Sequence, residues 1–252
     1  MFEWRLSYCE NEKCKNLDIR TAEDILRLGL PVIEANVPGN FELDMMKAGL
    51  LPDLYYSDNT MKAEELEAMH VFYFTEFEVS DTESVIRFDG IDTVAQIYVN
   101  GKFVCSHDNM FTGFEIAPEL NVGKNELLVH IKPAMIEARR YELAPAYSSM
   151  RYTFPSLVLR KAAHSFGWDI MPRIVSAGIW KPVTLEKIKP DKIKSVYAAT
   201  VGTEEGGAHI NFHICVQAEG DRITDYSVKI RGVCRDRGFY VEDVLQIGRA
   251  HV

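Results

Sequence analysis

The stretch Thr93-Val94-Ala95-Gln96-Ile97-Tyr98-Val99-Asn100-Gly101-Lys102-Phe103-Val104-Cys105 decides the fold. Asn-Gly between two β-rich runs is a hairpin signal, because a two-residue type I′ turn needs positive φ at both central positions and these residues tolerate it. A strand over 93–99, a turn at Asn100-Gly101 and a returning strand over 102–105 follow. Outward from that hairpin, short β-rich runs bounded by turn residues predict strands over 71–79 and 84–89 before it, and over 112–117, 125–131 and 179–188 after it. Glu76 and Glu78 alternate with Phe77 and Val79, which reads as the solvated face of a half-buried strand. Many short strands with few helices indicate an all-β antiparallel sandwich or jelly roll, not a parallel α/β sheet.

Upstream, Leu30-Pro31, Val37-Pro38-Gly39-Asn40 and Leu51-Pro52-Asp53 break any long periodicity, so residues 1–59 read as a loop-rich lead-in. One short helix is expected over 21–28, capped by Thr21 and favoured at its positive end by Glu23 and Asp24. A second is expected over 62–69, and a third short one over 134–141. Downstream, the run 187–192 reads as a linker, and alternation resumes over 193–201, 209–218 and 224–233 with Gly206-Gly207 as a turn. These strands are too few for an immunoglobulin-type sandwich, which needs about seven. The second domain, 189–252, is therefore expected to be incomplete. Its last residues, Ile247-Gly248-Arg249-Ala250-His251-Val252, match one reading frame of a sequencing adapter, so an artefactual end is expected, with a genuine C-terminus as the alternative.

Composition removes several function classes. Of 252 residues, 28 are basic and 37 acidic, a net charge of −9, which argues against a nucleic-acid surface built on clustered Lys and Arg. No run approaches the roughly 18 apolar residues a membrane span requires. The first residues lack a basic segment followed by an apolar one, so a soluble, uncleaved, cytoplasmic chain is expected. Five cysteines with no CxxC pair suit neither a disulfide framework nor a zinc site, and read as thiols of a reducing compartment. No nucleophile elbow, phosphate loop, HExxH or dinucleotide fingerprint is found, so neither a metal nor a cofactor is expected. No paired carboxylates suggest a catalytic site within the chain.

Residues 133–170 break the strand rhythm, and long structured connections in compact domains are usually functional. Their aromatic and basic residues, Tyr147, Arg151, Tyr152, Phe154, Arg160, Lys161, His164, Phe166 and Trp168, suit a binding wall. Ser165-Phe166-Gly167-Trp168-Asp169 sets a flexible glycine, a flat apolar ring and a carboxylate side by side. An indole face stacks on the C–H surface of a pyranose while a carboxylate accepts from its hydroxyls. The alternative places Trp168 in the core and has Asp169 cap a turn.

Several stretches together resemble the N-terminal part of a β-mannosidase of glycoside hydrolase family two. They are Val37-Pro38-Gly39-Asn40 with Asp44 and Gly49, Phe88-Asp89-Gly90-Ile91-Asp92-Thr93-Val94-Ala95 leading to Tyr98-Val99-Asn100-Gly101, and Asn109-Met110-Phe111. Arg160-Lys161-Ala162, Ser165 to Asp169 and Gly178-Ile179-Trp180-Lys181-Pro182-Val183 complete the set, in order across 1–188. The resemblance implies a galactose-binding-like jelly roll over 1–188, a partial immunoglobulin-like domain over 189–252, and a (β/α)₈ barrel, not reached here, that carries the catalytic glutamates.

It further implies that the loop bearing Trp168 and Asp169 helps hold the terminal mannose of an oligosaccharide, with Arg160 a further candidate for binding or for anchoring the loop. Trp180 is expected to pack rather than touch sugar. The fragment alone is expected to be inactive, without cofactor, and homodimer formation stays open. A stand-alone carbohydrate-binding module and a structural scaffold are the competing readings. One departure stands out: Ile170 and Met171 replace the family's second Trp and Gly before Pro172.

Overall fold

A computed structural model describes residues 2–142, 154–205, 207–219, 226–234 and 237–244. The chain divides into two compact units, Met1–Lys187 and Ile188–Val252. The first unit opens with β1 (Arg5–Glu10), α1 (Asn11–Cys14), α2 (Ala22–Arg27), β2 (Val32–Glu34) and α3 (Phe41–Lys47). It continues through β3 (Met69–Val79), β4 (Ser84–Phe88), β5 (Ala95–Val99), β6 (Lys102–His107), β7 (Phe114–Ile116) and β8 (Gly123–Ile131). Two short helices, α4 (Ala134–Glu137) and α5 (Phe154–Val158), precede β9 (Val183–Lys187).

The hairpin on which the reading rests forms as expected, with Asn100 at φ 50° and Gly101 at φ 74° joining β5 to β6. The Asn100 side chain holds it from behind: its Nδ2 donates to Asn125 Oδ1 at 2.9 Å, and its Oδ1 accepts from the Glu126 N–H at 2.9 Å. Two antiparallel sheets result, one of order β2-β1-β3-β8-β5-β6 and one of order β7-β4-β9. Between them pack Val71 and Tyr73 of β3, Ile97 of β5 and Leu127 of β8 against Ile86 and Phe88 of β4. Each such side chain contributes about 1.5–3 kcal/mol by leaving water.

β3 is buried almost continuously from His70 to Thr75 because its outer face is covered too. Phe72, Phe74 and Leu128 lie there under Cys9, Cys14, Ile19 and Ile25. Past Thr75 that cover ends, and Glu76 and Glu78 are exposed on alternate positions. The first unit is thus the all-β jelly-roll sandwich anticipated from the turn signals.

The lead-in is more ordered than a loop reading allows. β1 pairs with β3 along its whole length and β2 pairs with β1. α2 carries the expected cap, with the Thr21 side chain accepting from the Asp24 N–H and Asp24 accepting back from the Thr21 N–H. α3 was hidden behind Pro38-Gly39, yet Asn40 caps it through Leu43 N–H at 3.0 Å and Gly49, at φ 72°, ends it. Over 62–69 the expected α-helix is instead a 3-10 stretch, Asn59–Leu66, with β3 already begun at Met69.

The second unit contains two antiparallel hairpins, β10 (Lys192–Glu204) with β11 (Gly207–Gln217), and β12 (Ser227–Cys234) with β13 (Arg237–Val244). Asp191 Oδ1 accepts from Glu219 N–H and from Tyr226 Oη, both at 2.9 Å. Gly206 and the 247–252 tail lie outside the described residues. Among those described, no helix is long and apolar enough to cross a membrane.

Candidate functional site

The loop that follows α5 is built from the base upward. Leu159, Phe166 and Val175 bury themselves with Ala138 in a small cluster of their own. Arg160 bridges to Asn109, with its carbonyl accepting from Met110 N–H at 3.0 Å. Lys161 then turns inward. Its Nζ donates to Asp92 Oδ2 at 2.5 Å and to the Ser176 carbonyl at 2.7 Å, and Ser176 Oγ donates to the same Asp92 oxygen at 3.1 Å. Both flanks of the loop are therefore tied to one carboxylate of the sandwich. The Asp92 backbone exchanges hydrogen bonds with Gly178 besides, at 2.8 and 3.1 Å.

A second clamp sits nearer the tip. Arg173 places Nε and Nη2 on the two Glu67 oxygens, each at 2.7 Å, in the forked geometry that suits a carboxylate, and Nη1 on the Phe166 carbonyl at 3.2 Å. Gly167 has φ 87°, and a Cβ there would sit 3.1 Å from Arg173 Cβ, so glycine serves both the backbone conformation and the close approach.

Beyond these clamps the chain makes a tight turn, Trp168 N–H to Met171 O at 3.0 Å and Met171 N–H to Trp168 O at 3.1 Å. Asp169 and Ile170 occupy its tip, both exposed. Trp168 is 65% exposed, so it is not a core residue. A flat apolar ring and an acid thus stand exposed at adjacent positions of a doubly anchored turn.

Arg160 stands apart from that pair. Its side chain is 65% exposed and meets Asp108 at 3.4 Å through one nitrogen, a loose surface pair of little energetic value. Among the described residues no hydrogen bond or ion pair links it to Trp168 or Asp169. Anchoring of the loop belongs to its neighbour Lys161, whose side chain is wholly buried. Tyr147, Arg151 and Tyr152 and the Phe154 side chain lie outside the described residues. Trp180 packs over Gly90 and donates from Nε1 to the Met110 carbonyl at 3.0 Å.

Asp92, Glu67 and Arg173 were not expected as positioning residues, and Lys161 and Phe166, expected in a binding wall, are instead buried, Lys161 in its pair with Asp92 and Phe166 in the cluster under the loop. Glu42 was not expected either; it lines a cavity of about 360 Å3 together with Asn40, Ser57, Thr60, Pro172 and Ile174. Burial, with the Asp92 charge behind it, pushes the Glu42 carboxyl up to about 8, against partial offsets from its own backbone N–H, the Lys161 charge and the Ala177 N–H. Among the described residues no three His, Cys, Asp or Glu side chains gather as a metal site would require.

Residues 4–181 match the model of the glycosyl hydrolase 2 galactose-binding domain-like family. The chain belongs to that family. Similar proteins point the same way. β-Mannosidase B of Thermothelomyces thermophilus is 30% identical over 198 residues, which cover 74% of this chain and 23% of that protein. The mouse β-mannosidase is 31% identical over 169 residues, 61% of this chain and 19% of that protein. The solved β-D-mannosidase of Dictyoglomus thermophilum matches with a TM-score of 0.71 at 26% identity, over 96% of this chain and 29% of that one. An exo-chitosanase of Amycolatopsis orientalis, at TM-score 0.57 and 14% identity, shares the fold. This glycosyl hydrolase 2 galactose-binding domain-like chain thus spans about a fifth to a quarter of the curated relatives it matches.

Proposed function

We propose that this chain is the substrate-recognition part of a retaining β-mannosidase that removes terminal β-mannose from oligosaccharides. The observation that carries the reading is the Trp168-Asp169 tip, exposed on a turn clamped through Lys161 and Arg173, in a chain whose relatives are named β-mannosidases. The indole would meet the C–H face of the mannose ring, and Asp169 would accept from its hydroxyls. In this reading the bond is cut by two carboxylates of a separate barrel domain. One attacks the anomeric carbon to give a covalent glycosyl intermediate. The other protonates the departing oxygen and then takes a proton from water.

The test is a loop graft. Residues 163–174 are placed in the corresponding loop of the Dictyoglomus thermophilum β-D-mannosidase, and hydrolysis of an aryl β-mannoside is measured. Activity should survive the graft and fall about a hundredfold when Trp168→Ala is added, the scale expected when a positioning contact is lost. A folded graft whose activity ignores both Trp168→Ala and Asp169→Asn overturns the reading.

A further inference from the structure

A polar cavity of about 380 Å3 lies between the ends of β5, β6 and β8 and the 137–141 stretch. Strand register assembles its floor. Gln96 alternates with the core residues Ala95 and Ile97, and it stands opposite both Ser106 of β6 and His130 of β8, so these three share the outer face of the larger sheet. Lys132 follows two residues after His130, and its charge reaches both His70 and His130. Glu137 and Tyr141 close the cavity from the side.

The charges of this wall do not cancel. Glu137 Oε2 pairs with Arg140 at 2.9 Å, and Asp108 pairs with Arg160 at 3.4 Å. Lys132 is half-buried, and its side chain has no ion pair or hydrogen bond among the described residues, so one positive charge is left over. Hydrogen-bonding capacity is left over as well. Among the described residues, the polar side-chain atoms that are both unpartnered and sealed from solvent are Ser7 Oγ, Glu42 Oε2 and Tyr73 Oη. Glu137 Oε1 is unpartnered too but is not sealed, so in a residue only 7% exposed it is reached from the cavity that Glu137 lines. Gln96 Oε1 accepts from Tyr98 Oη at 3.3 Å, which leaves the amide N–H groups to donate.

We propose that this cavity binds a hydroxylated monocarboxylate of sugar-acid size, with Lys132 and the Gln96 amide on its carboxylate and Glu137 Oε1 and Ser106 on its hydroxyls. A carboxylate supplies the countercharge that Lys132 lacks. A hydroxyl supplies the donor that Glu137 Oε1 lacks without adding a second charge. Leu159 and the Tyr141 ring offer apolar surface to its C–H groups. The volume lies within the range of small-ligand sites, roughly 300–1,000 Å3. None of the lining residues belongs to the 165–174 loop, so the proposal stands apart from the mannoside reading.

The experiment is calorimetry and saturation-transfer NMR on the full 252-residue chain with three probes. They are D-glucuronate, D-glucose, which has a hydroxymethyl group in place of the carboxylate, and acetate, which has the carboxylate without the hydroxyls. Glucuronate should bind, and the other two about tenfold more weakly, the loss expected when a charged hydrogen bond goes unmet. Lys132→Met should weaken glucuronate by about the same factor, and Lys132→Arg should restore most of it. Ser106→Trp, which fills the cavity from an exposed position, should also weaken it, whereas Trp168→Ala should leave it unchanged. Circular dichroism melts show that each variant is folded, and Ser106→Trp keeps the test open if Lys132→Met is not.

Glucuronate binding unmoved by a folded Lys132→Met, or by Ser106→Trp, overturns the proposal. So does glucose or acetate binding as tightly as glucuronate, or no glucuronate binding at about 20 mM, above the millimolar affinity of even a weak site. A loss seen in Trp168→Ala alone would place the ligand at the tip and remove this site.

Discussion

Lys161 Nζ lies 2.5 Å from Asp92 Oδ2, with the two side chains 0% and 6% exposed. A charge pair so placed is held by geometry: alone, either partner would be an uncompensated ion in the interior. Lys161→Met should therefore lower unfolding stability by about 3 kcal/mol, and Asp92→Asn by a similar amount. The double variant should cost clearly less than the sum, because it removes both charges together. Urea unfolding measures all three. Strict additivity would mean that the two residues do not act as one clamp.

The Arg173–Glu67 pair makes a different prediction, because only a planar fork reaches both carboxylate oxygens and the Phe166 carbonyl at once. Arg173→Lys keeps the charge but not the fork, so a loss of about 1–2 kcal/mol is expected, in the range of charged hydrogen bonds. The effect should be local. Amide exchange should quicken over 165–174 and stay unchanged in β8. Equal acceleration in both places would show that the clamp supports the whole sandwich rather than the loop.

Gly178 owes its place to space. A Cβ there would lie 2.5 Å from the Gly39 carbonyl and 2.6 Å from Asn40 Cα. Gly178→Ala must push the 39–41 segment away and stretch the bonds from Gly39 N–H to Ile179 O (3.0 Å) and Phe41 N–H to Ala177 O (2.8 Å). A thermal melt should report about 2–4 kcal/mol lost, as for an overpacked core. Gly29→Ala is the contrast. It meets nothing within 4 Å, and its φ of 63° alone sets a cost near 1 kcal/mol.

What the sequence made legible follows the range of its signals. Asn100-Gly101 and Thr21 with Asp24 are local devices, complete within a few residues, and both form as read. β1 escaped because Ser7, polar by type, is fully buried there, and its register depends on β3, whose Phe72 partners Ser7 from 65 residues away. α3 escaped because Pro38-Gly39 looks like punctuation, although Asn40 and Gly49 bracket it as a cap and a stop. At the site, Trp168 and Asp169 were legible because adjacent residues share one turn. The partners that hold them were not, since Lys161 and Asp92 are 69 residues apart and Arg173 and Glu67 are 106 apart. Nothing in Arg160-Lys161 says which of two neighbouring cations faces inward.

The buried titratable groups make stability depend on pH in two opposed ways. Burial raises Glu42 from 4.5 to about 8, so between those values the native state holds a proton that the unfolded chain has released, and stability falls as pH rises. Burial lowers His70 to about 4 and His130 to about 3 from 6.5; the two rings meet at 2.7 Å beneath Phe72. There the unfolded chain holds the extra protons, so stability falls as pH drops below 6.5. Two histidines outweigh one carboxyl where the windows overlap, which sets the optimum from these three groups near pH 6.5. Melting temperatures across pH 5–9 should fall on both sides of that value in the wild type. Glu42→Gln should flatten the limb between 6.5 and 8 and leave the acid limb in place, whereas an unchanged alkaline limb would show that Glu42 ionises in the fold as freely as in water.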